Sequence, residues 1–258
     1  MSSDSTAYNT KKAFFDRVLT IYGRKPALEA LQDTALQCHR LHLAESNRQG
    51  GIIGDLLALA EQRTLPVSFH SREALARISR NGKQDQGVAL DILCPDFRTL
   101  ADYLAALPAL PRQRLLALDG ITNPQNLGMI LRSAAAGNID AVLWSRKGNA
   151  TLGPLVVKAS AGILYRAPLV VCDDLPQALG ELGANGCEIL NLQADANDSL
   201  FDYRPPSHAV YVLGNETCGV TEKVAKLADR GLSIPMQRGV ESLNVAVTAA
   251  LIAYAEAP

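Results

Sequence analysis

Hydrophobic and polar positions follow two periods along this chain, and the changes of period mark its elements. After a polar opening stretch, residues 13–45 read as helix, turn and helix, with Gly23 and Pro26 at the turn. Pro26 sits near the start of a helical run to Leu31, where its missing N–H costs little. Residues 38–43 make a strand candidate. Residues 52–63 put Ile52, Leu56, Leu59 and Ala60 on one helical face. Short strands are predicted at residues 66–69 and 88–94, with a helix at 72–78 between them. Pro95, Pro108 and Pro111 then punctuate the pattern. That spacing sets a linker at residues 95–114 between a smaller α/β domain, 1–94, and a larger one, 115–258.

The larger domain alternates more sharply. Strands are predicted at residues 115–119, 141–144, 169–172, 188–192, 210–213 and 232–234. Helices are predicted at 123–136, 154–160, 175–182, 222–228 and 242–255. Strands separated by helices imply crossover connections and a parallel sheet covered on both faces. Asn123 and Pro124 suit the start of the 123–136 helix, and Gly137-Asn138 a left-handed cap at its end. Ser242 is the candidate cap of the last helix, whose core side is read as Leu243, Val247, Leu251 and Tyr254.

Composition narrows the class. The 258 residues are 48% hydrophobic and 20% charged, which excludes a disordered or fibrous chain. With 25 basic against 26 acidic side chains the net charge is −1, so nucleic acid would have to be met by a local patch. The longest mostly apolar stretch, residues 245–255, is far short of the roughly 18 residues of a membrane span, and no signal pattern opens the chain. Five scattered cysteines without a C-x-x-C pair fit reduced thiols in a cytoplasm and argue against a disulfide frame or a zinc site. Four histidines show no metal spacing, so no metal is expected, and His39 and His42 read as structural. There is no G-x-G-x-x-G, P-loop or G-x-S-x-G signature.

Three segments carry candidate chemistry. In residues 118–137, Gly128 and Arg132 lie four apart on one helical face. A mid-helix glycine costs about 1 kcal/mol against alanine, so it marks close approach, either by a ligand or by a packed sheet. Residues 210–219 run from a hydrophobic strand into a glycine-flanked polar turn, where Asn215 and Glu216 either bind a ligand or close the turn. Residues 232–247 pass from strand through loop into the last helix. Asn244 interrupts their apolar run, either as a buried group serving a site or as a solvated first-turn residue.

Taken in order, N-x-G-x-x-x-R (Asn126, Gly128, Arg132), L-G-N-E (Leu213 to Glu216) and I-P-M…E-S-L-N-V (Ile234 to Val245) resemble the three motifs of the SpoU/TrmH family. These are S-adenosylmethionine-dependent RNA ribose 2′-O-methyltransferases of the knotted SPOUT superfamily. The first domain, with its Gly23-Arg24-Lys25-Pro26 and Gln86-Gly87-Val88 segments, resembles the ribosomal-protein-like RNA-binding module of bacterial rRNA members. The resemblance implies a deep C-terminal trefoil knot, a homodimer and S-adenosylmethionine as cofactor. It assigns Leu213, Gly214, Ile234, Met236 and Leu243 to the cofactor, and Asn126, Arg132, Glu216, Ser242 and Asn244 to the active site. The chain departs from the family pattern at Asp85, Thr217, Val220 and Arg238-Gly239, where the glycine comes one residue late. Arg72, Arg77, Arg80 and Lys83 form the candidate RNA patch, set against the plain reading of a solvated helix face. The first-domain likeness favours rRNA, a large-subunit guanosine in particular, over tRNA. A non-catalytic RNA-binding factor and a small-molecule α/β enzyme are the competing classes.

Overall fold

A computed structural model describes residues 14–256, which divide at Pro95/Asp96 into two compact units. The first unit contains β1 (Val18–Tyr22), α1 (Arg24–Gln32), β2 (Gln37–Ala44), α2 (Ile52–Gln62), β3 (Val67–His70), α3 (Arg72–Ser79) and β4 (Val88–Leu93). Its sheet has the order β1-β4-β2-β3, with β4 antiparallel to both β1 and β2 and β3 parallel to β2. Ile21, Leu41, Leu43, Leu90 and Ile92 are fully buried, as are Leu31 and Leu56 of α1 and α2. On the other face Ala44 and Ala89 pack against Leu75 of α3. The helix expected before Gly23 is instead β1: Val18-Leu-Thr-Ile-Tyr22 is a β-branched and aromatic run with alternating burial, and pairing with β4 overrides the weak helical reading.

The second unit contains β5 (Arg98–Thr99), α4 (Leu100–Ala106), β6 (Arg114–Leu118), α5 (Pro124–Ala136), β7 (Ala141–Ser145), α6 (Pro154–Ala159), β8 (Leu169–Cys172), α7 (Leu175–Ala184), β9 (Glu188–Leu192), β10 (Asp198–Ser199), β11 (Ala209–Leu213), α8 (Glu222–Ala225), β12 (Arg230–Ser233) and α9 (Val245–Tyr254). Its eight-stranded sheet has the order β10-β12-β9-β11-β6-β7-β8-β5, and every neighbouring pair is parallel. Leu115, Ala117, Leu143, Val210 and Val212 form one core with Leu179 of α7. The linker expected at 95–114 is not one. Thr99 caps α4 by accepting from the Asp102 N–H at 3.1 Å, and buried Tyr103 donates to Gln113 Oε1 at 3.1 Å. Pro108 sits in a tight turn, Leu107–Ala109, that ends this helix. Prolines at a helix end and prolines in a linker look alike in sequence.

Helices α5 and α9 lie side by side and are tied together at their C-terminal ends. The Asn138 N–H donates to Ala253 O at 2.8 Å, and Tyr254 Oη donates to Ala136 O at 3.0 Å. Gly137 is not left-handed as expected, since its φ is −105°. Its missing side chain serves packing instead: a Cβ there would stand 2.7 Å from that of Ala253. The expected core side of α9 is also corrected. Val247 and Tyr254 are 44% and 59% exposed, while Val245, Ala246, Ala249, Ile252 and Ala253 are buried. Small residues allow the helix to lie close against α5, which rotates the bulkier stripe outward. Buried Arg114 clamps this arrangement by donating to Asn138 O and Ile252 O, each at 2.7 Å, with Glu256 Oε1 3.4 Å from its Nε.

Candidate active site

One polar side chain from each of the three motifs, Asn126, Glu216 and Asn244, meets the others beyond the C-terminal ends of parallel strands, where open α/β sheets place their ligands. Two residues outside the motifs prepare this edge. Buried Asp119, just past β6, accepts from the Thr221 N–H at 2.6 Å. Asn149 donates to Leu118 O at 2.9 Å and accepts from the Ile121 N–H at 2.7 Å. Their signal in the sequence was slight: an Asp-Gly pair at a strand end and an isolated asparagine.

The turn after β11 is closed by Asn215. Its Nδ2 donates to Gly120 O at 2.8 Å, its Oδ1 accepts from the Thr217 N–H at 2.8 Å, and its backbone exchanges hydrogen bonds with Gly219. Of the two readings of Asn215, turn closure is the one observed. The loop folds back so tightly that a Cβ on Gly214 would lie 2.2 Å from Gly219 C. Thr217, where the family usually has glycine, is exposed in this turn and lends it a backbone N–H that any residue but proline supplies.

Asn123 caps α5 by accepting from the Gln125 N–H at 2.9 Å, and Pro124 opens the helix as expected. Asn126, one turn in, is buried at 8% exposure, so both ends of its amide need partners. Its Nδ2 donates to Glu216 Oε1, and its Oδ1 accepts from Asn244 Nδ2 at 3.3 Å. One side chain of the first motif thereby joins a residue of the second to a residue of the third.

Asn244 is itself the cap of α9, accepting from the Ala246 N–H at 2.9 Å, so the helix begins at Val245. Asn244 is exposed, as in the solvated reading and not the buried one, but it stands as the cap itself and so removes Ser242 from that role. The asparagine amide carries a donor as well as an acceptor, so it caps the helix with its oxygen and binds Asn126 with its nitrogen, while Ser242 lies two residues ahead of the cap. Ser242 is exposed, and Leu243, expected to turn inward, is 37% exposed. Leu213 is buried at the end of β11, while Gly214, Ile234 and Met236 are partly exposed on the segments following β11 and β12.

Arg132 does not join this cluster within one chain. It is exposed, with no hydrogen-bond or ion-pair partner among the described residues. Six residues of helix turn it roughly 120° away from Asn126. It shares an outward stripe of α5 with Met129, which is 47% exposed. Gly128 faces α6, where a Cβ would stand 2.5 Å from that of Ala159 and 2.8 Å from Val156 O. The close approach is therefore protein packing, against a helix and not a sheet. Arg238 and Gly239 are both left-handed, with φ of 57° and 73°, so an arginine holds a conformation that glycine favours.

In the first unit, Arg72, Arg77, Arg80 and Lys83 are all exposed along α3 and the turn after it, and Glu73 interacts electrostatically with Arg72 and Arg77. Asp85 is a buried turn residue that accepts from Ser79 Oγ at 2.8 Å and from the Gly87 N–H at 2.9 Å. Its departure from the family pattern is thus accommodated inside the fold.

Residues 113–254 match the family model of the SpoU rRNA Methylase family, and residues 20–93 match that for RNA 2′-O ribose methyltransferase substrate binding. The uncharacterized tRNA/rRNA methyltransferase of Mycobacterium ulcerans is 30% identical over 237 residues, covering 92% of this chain and 76% of that protein. The corresponding Mycobacterium tuberculosis protein is likewise 30% identical, over 92% of this chain and 73% of its own length. Among solved structures, the SpoU methyltransferase AviRb of Streptomyces viridochromogenes in complex with AdoMet superposes with a TM-score of 0.62 at 20% identity, covering 93% of this chain and 89% of that one. That likeness concerns the fold, a parallel-sheet α/β architecture with its preceding smaller unit. With the three motifs meeting at one edge of the sheet and both units matched in order, the chain belongs to the SpoU rRNA methylase family of RNA methyltransferases.

Proposed function

We propose that the chain transfers a methyl group from S-adenosylmethionine to a ribose 2′-hydroxyl of RNA, with ribosomal RNA as the substrate in preference to tRNA. The observation that carries this reading is the junction at Asn126, through which residues of three distant motifs meet at the ligand-binding edge of a parallel sheet. The substrate-binding match of the first unit supports the ribose, and the name of the family matched by the second supports the ribosomal target.

The residues present fit the cofactor. Gly214 lies in a turn with no room for a side chain, and partly exposed Ile234 and Met236 add apolar surface beside backbone groups. Backbone hydrogen-bonding groups next to apolar walls suit the adenosine moiety of the cofactor, with polar groups for its base edge and apolar surface for its ring faces. When bound, S-adenosylmethionine supplies an electrophilic methyl carried on a sulfonium. Glu216 and Asn244, fixed through Asn126, hold the nucleotide so that its hydroxyl is presented at reacting distance. A guanidinium stays charged across the working range, which makes it a poor base and a strong phosphate fork. Arg132 in this reading grips the target phosphate and stabilises the negative charge growing on the 2′-oxygen.

The reading includes a homodimer and a trefoil knot. Met129, Val247 and Tyr254 leave apolar surface exposed on α5 and α9 beside Arg132, and a second copy covering that stripe brings Arg132 against its partner. The last strand, β12, enters the sheet between β10 and β9, and the chain then returns to set α9 on α5, a path consistent with threading. The decisive experiment pairs calorimetry of S-adenosylmethionine binding with mapping of 2′-O-methyl groups in RNA from cells with and without the gene. A site lost with the gene is expected. RNA binding without cofactor binding would leave a non-catalytic assembly factor. Arg132→Lys is expected to keep cofactor binding and lose about a hundredfold in turnover. Near-normal turnover in that variant would refute both a bidentate phosphate role and a guanidine base.

A further inference from the structure

A hydrogen-bonded chain of side chains crosses the whole sheet of the first unit, and no motif of the methyl-transfer site uses it. Thr20 on β1 donates to Asp91 Oδ1 on β4 at 2.6 Å. Asp91 Oδ2 is 3.0 Å from Nε2 of His42 on β2, and His42 Nδ1 is 3.0 Å from Nε2 of His70 on β3. His42 and Asp91 are buried, at 7% and 8% exposure, while His70 is partly exposed on the edge strand.

The order of the groups fixes the direction of the chain. A carboxylate only accepts, so Asp91 takes the proton on His42 Nε2. His42 Nδ1 is then the acceptor for the Nε2–H of His70 in the unprotonated chain. That leaves His70 Nδ1 as the outermost ring nitrogen, with no hydrogen-bond partner among the described residues. A proton arriving there makes an imidazolium at the sheet edge, and the positive charge is shared inward toward buried Asp91 without any side chain moving. Such a chain gives the domain a cation that appears only when it is wanted.

We propose that His70, backed by His42 and Asp91, is a contact for an RNA backbone phosphate, and that RNA binding takes up a proton at this site. The proposal rests on the reading of the first unit as an RNA substrate-binding domain. The groups around His70 suit a phosphate that arrives with a proton. His42 and Arg40 from β2 and Glu45 just after it act on it electrostatically, Asp91 of β4 lies one histidine away with His39 acting on it, and Arg72 and Glu73 open α3 two residues later. Arg40, exposed and acting on His70 electrostatically, meets a bound phosphate as a permanent cation beside the acquired one. Burial, followed by the charge of His42, holds His70 below the ordinary histidine value, so the free protein presents it uncharged near neutral pH. A phosphate beside it reverses that balance.

The test is fluorescence anisotropy of a labelled mixed-sequence RNA oligomer with the full chain at fixed salt, between about pH 5.5 and pH 8. For one proton taken up, affinity rises by up to about tenfold per pH unit toward acid. His70→Gln is expected to flatten that slope and to match the wild type only at alkaline pH. His70→Lys, carrying a permanent charge, is expected to bind as tightly at pH 8 as the wild type does in acid. Calorimetry in buffers of different ionisation enthalpy counts the proton directly, and NMR titration of His70 is expected to show its pKa rising when RNA is added. Acid-dependent binding with the same slope in the wild type and His70→Gln would overturn the proposal while leaving the RNA-binding reading intact. Failure of the wild type to bind RNA at any pH would sink both.

Discussion

Gly128→Ala sets two known effects against each other, and the structure decides the sign. In a helix interior, glycine to alanine is worth about 1 kcal/mol of stabilisation. At position 128 the added methyl would meet Ala159 Cβ at 2.5 Å, Val156 O at 2.8 Å and Ser160 N at 2.9 Å. Two of these three atoms are backbone, so no rotamer change relieves the clash, and α5 and α6 must separate by most of an ångström. A gap of that size forfeits a quarter to a half of the local dispersion energy, and overpacking typically costs about 1–3 kcal/mol. The net expectation is a loss of up to about 2 kcal/mol. Gly180 provides the control, because it lies inside α7 with nothing within 4 Å of an added Cβ. Gly180→Ala should gain the full propensity, about 1 kcal/mol. The assay is thermal melting followed by fluorescence of Trp144, the single tryptophan, which is buried on β7 and reports the second unit. Each kcal/mol moves the midpoint by roughly 2–4 °C in a domain of this size. Gly128→Ala should melt lower than wild type and Gly180→Ala higher. If both melted higher by the same amount, the packing argument at Gly128 would be refuted.

Three further expectations follow from the same structure. Arg114→Met takes the guanidinium donors from the Asn138 and Ile252 carbonyls while Arg112 and Tyr211 still hold Glu256, which should cost about 2–4 kcal/mol and expose α9 amides to hydrogen exchange; unchanged protection of α9 would contradict the clamp. Arg238→Gly places glycine where φ is already positive and should raise the second unit's melting point by the equivalent of about 1 kcal/mol. Acid should destabilise the first unit in two stages. Burial depresses His70, so its contribution is present above about pH 6.5 and lost as pH falls through its lower folded value. Burial pushes Asp91 up, but its bonds from His42 and Thr20 outweigh that and leave it below the usual carboxylate range, so its contribution is present above about pH 4 and is lost as pH falls from there through its lower folded value. His70→Gln should abolish the first stage alone in a pH series of melting curves.

Much of the architecture was legible because the parallel strands are short, continuous and apolar and their helices are capped. Residues 169–172 and 188–192 form strands with the predicted bounds. What could not be read was how elements face one another. The stripe of Leu243, Val247 and Tyr254 has helical spacing whether it points to a core or away from it, and only the alanines opposite reveal the choice. The site was legible as three motifs, yet not as a junction: Asn126, Glu216 and Asn244 stand far apart in sequence, and nothing local announces that one amide spans the other two. The Thr20–Asp91–His42–His70 chain was invisible for the same reason, since each of its members comes from a different strand.

The amide of Asn126 is polar in a definite sense, nitrogen toward a carboxylate and oxygen toward a donor. Exchanging that nitrogen for oxygen, as in Asn126→Asp, changes the residue hardly at all in shape. It nevertheless sets two anions face to face while leaving the bond from Asn244 unharmed. A lesion so small would therefore push one loop away and keep the other, so the site is built to tolerate neither mirror nor substitute at its centre.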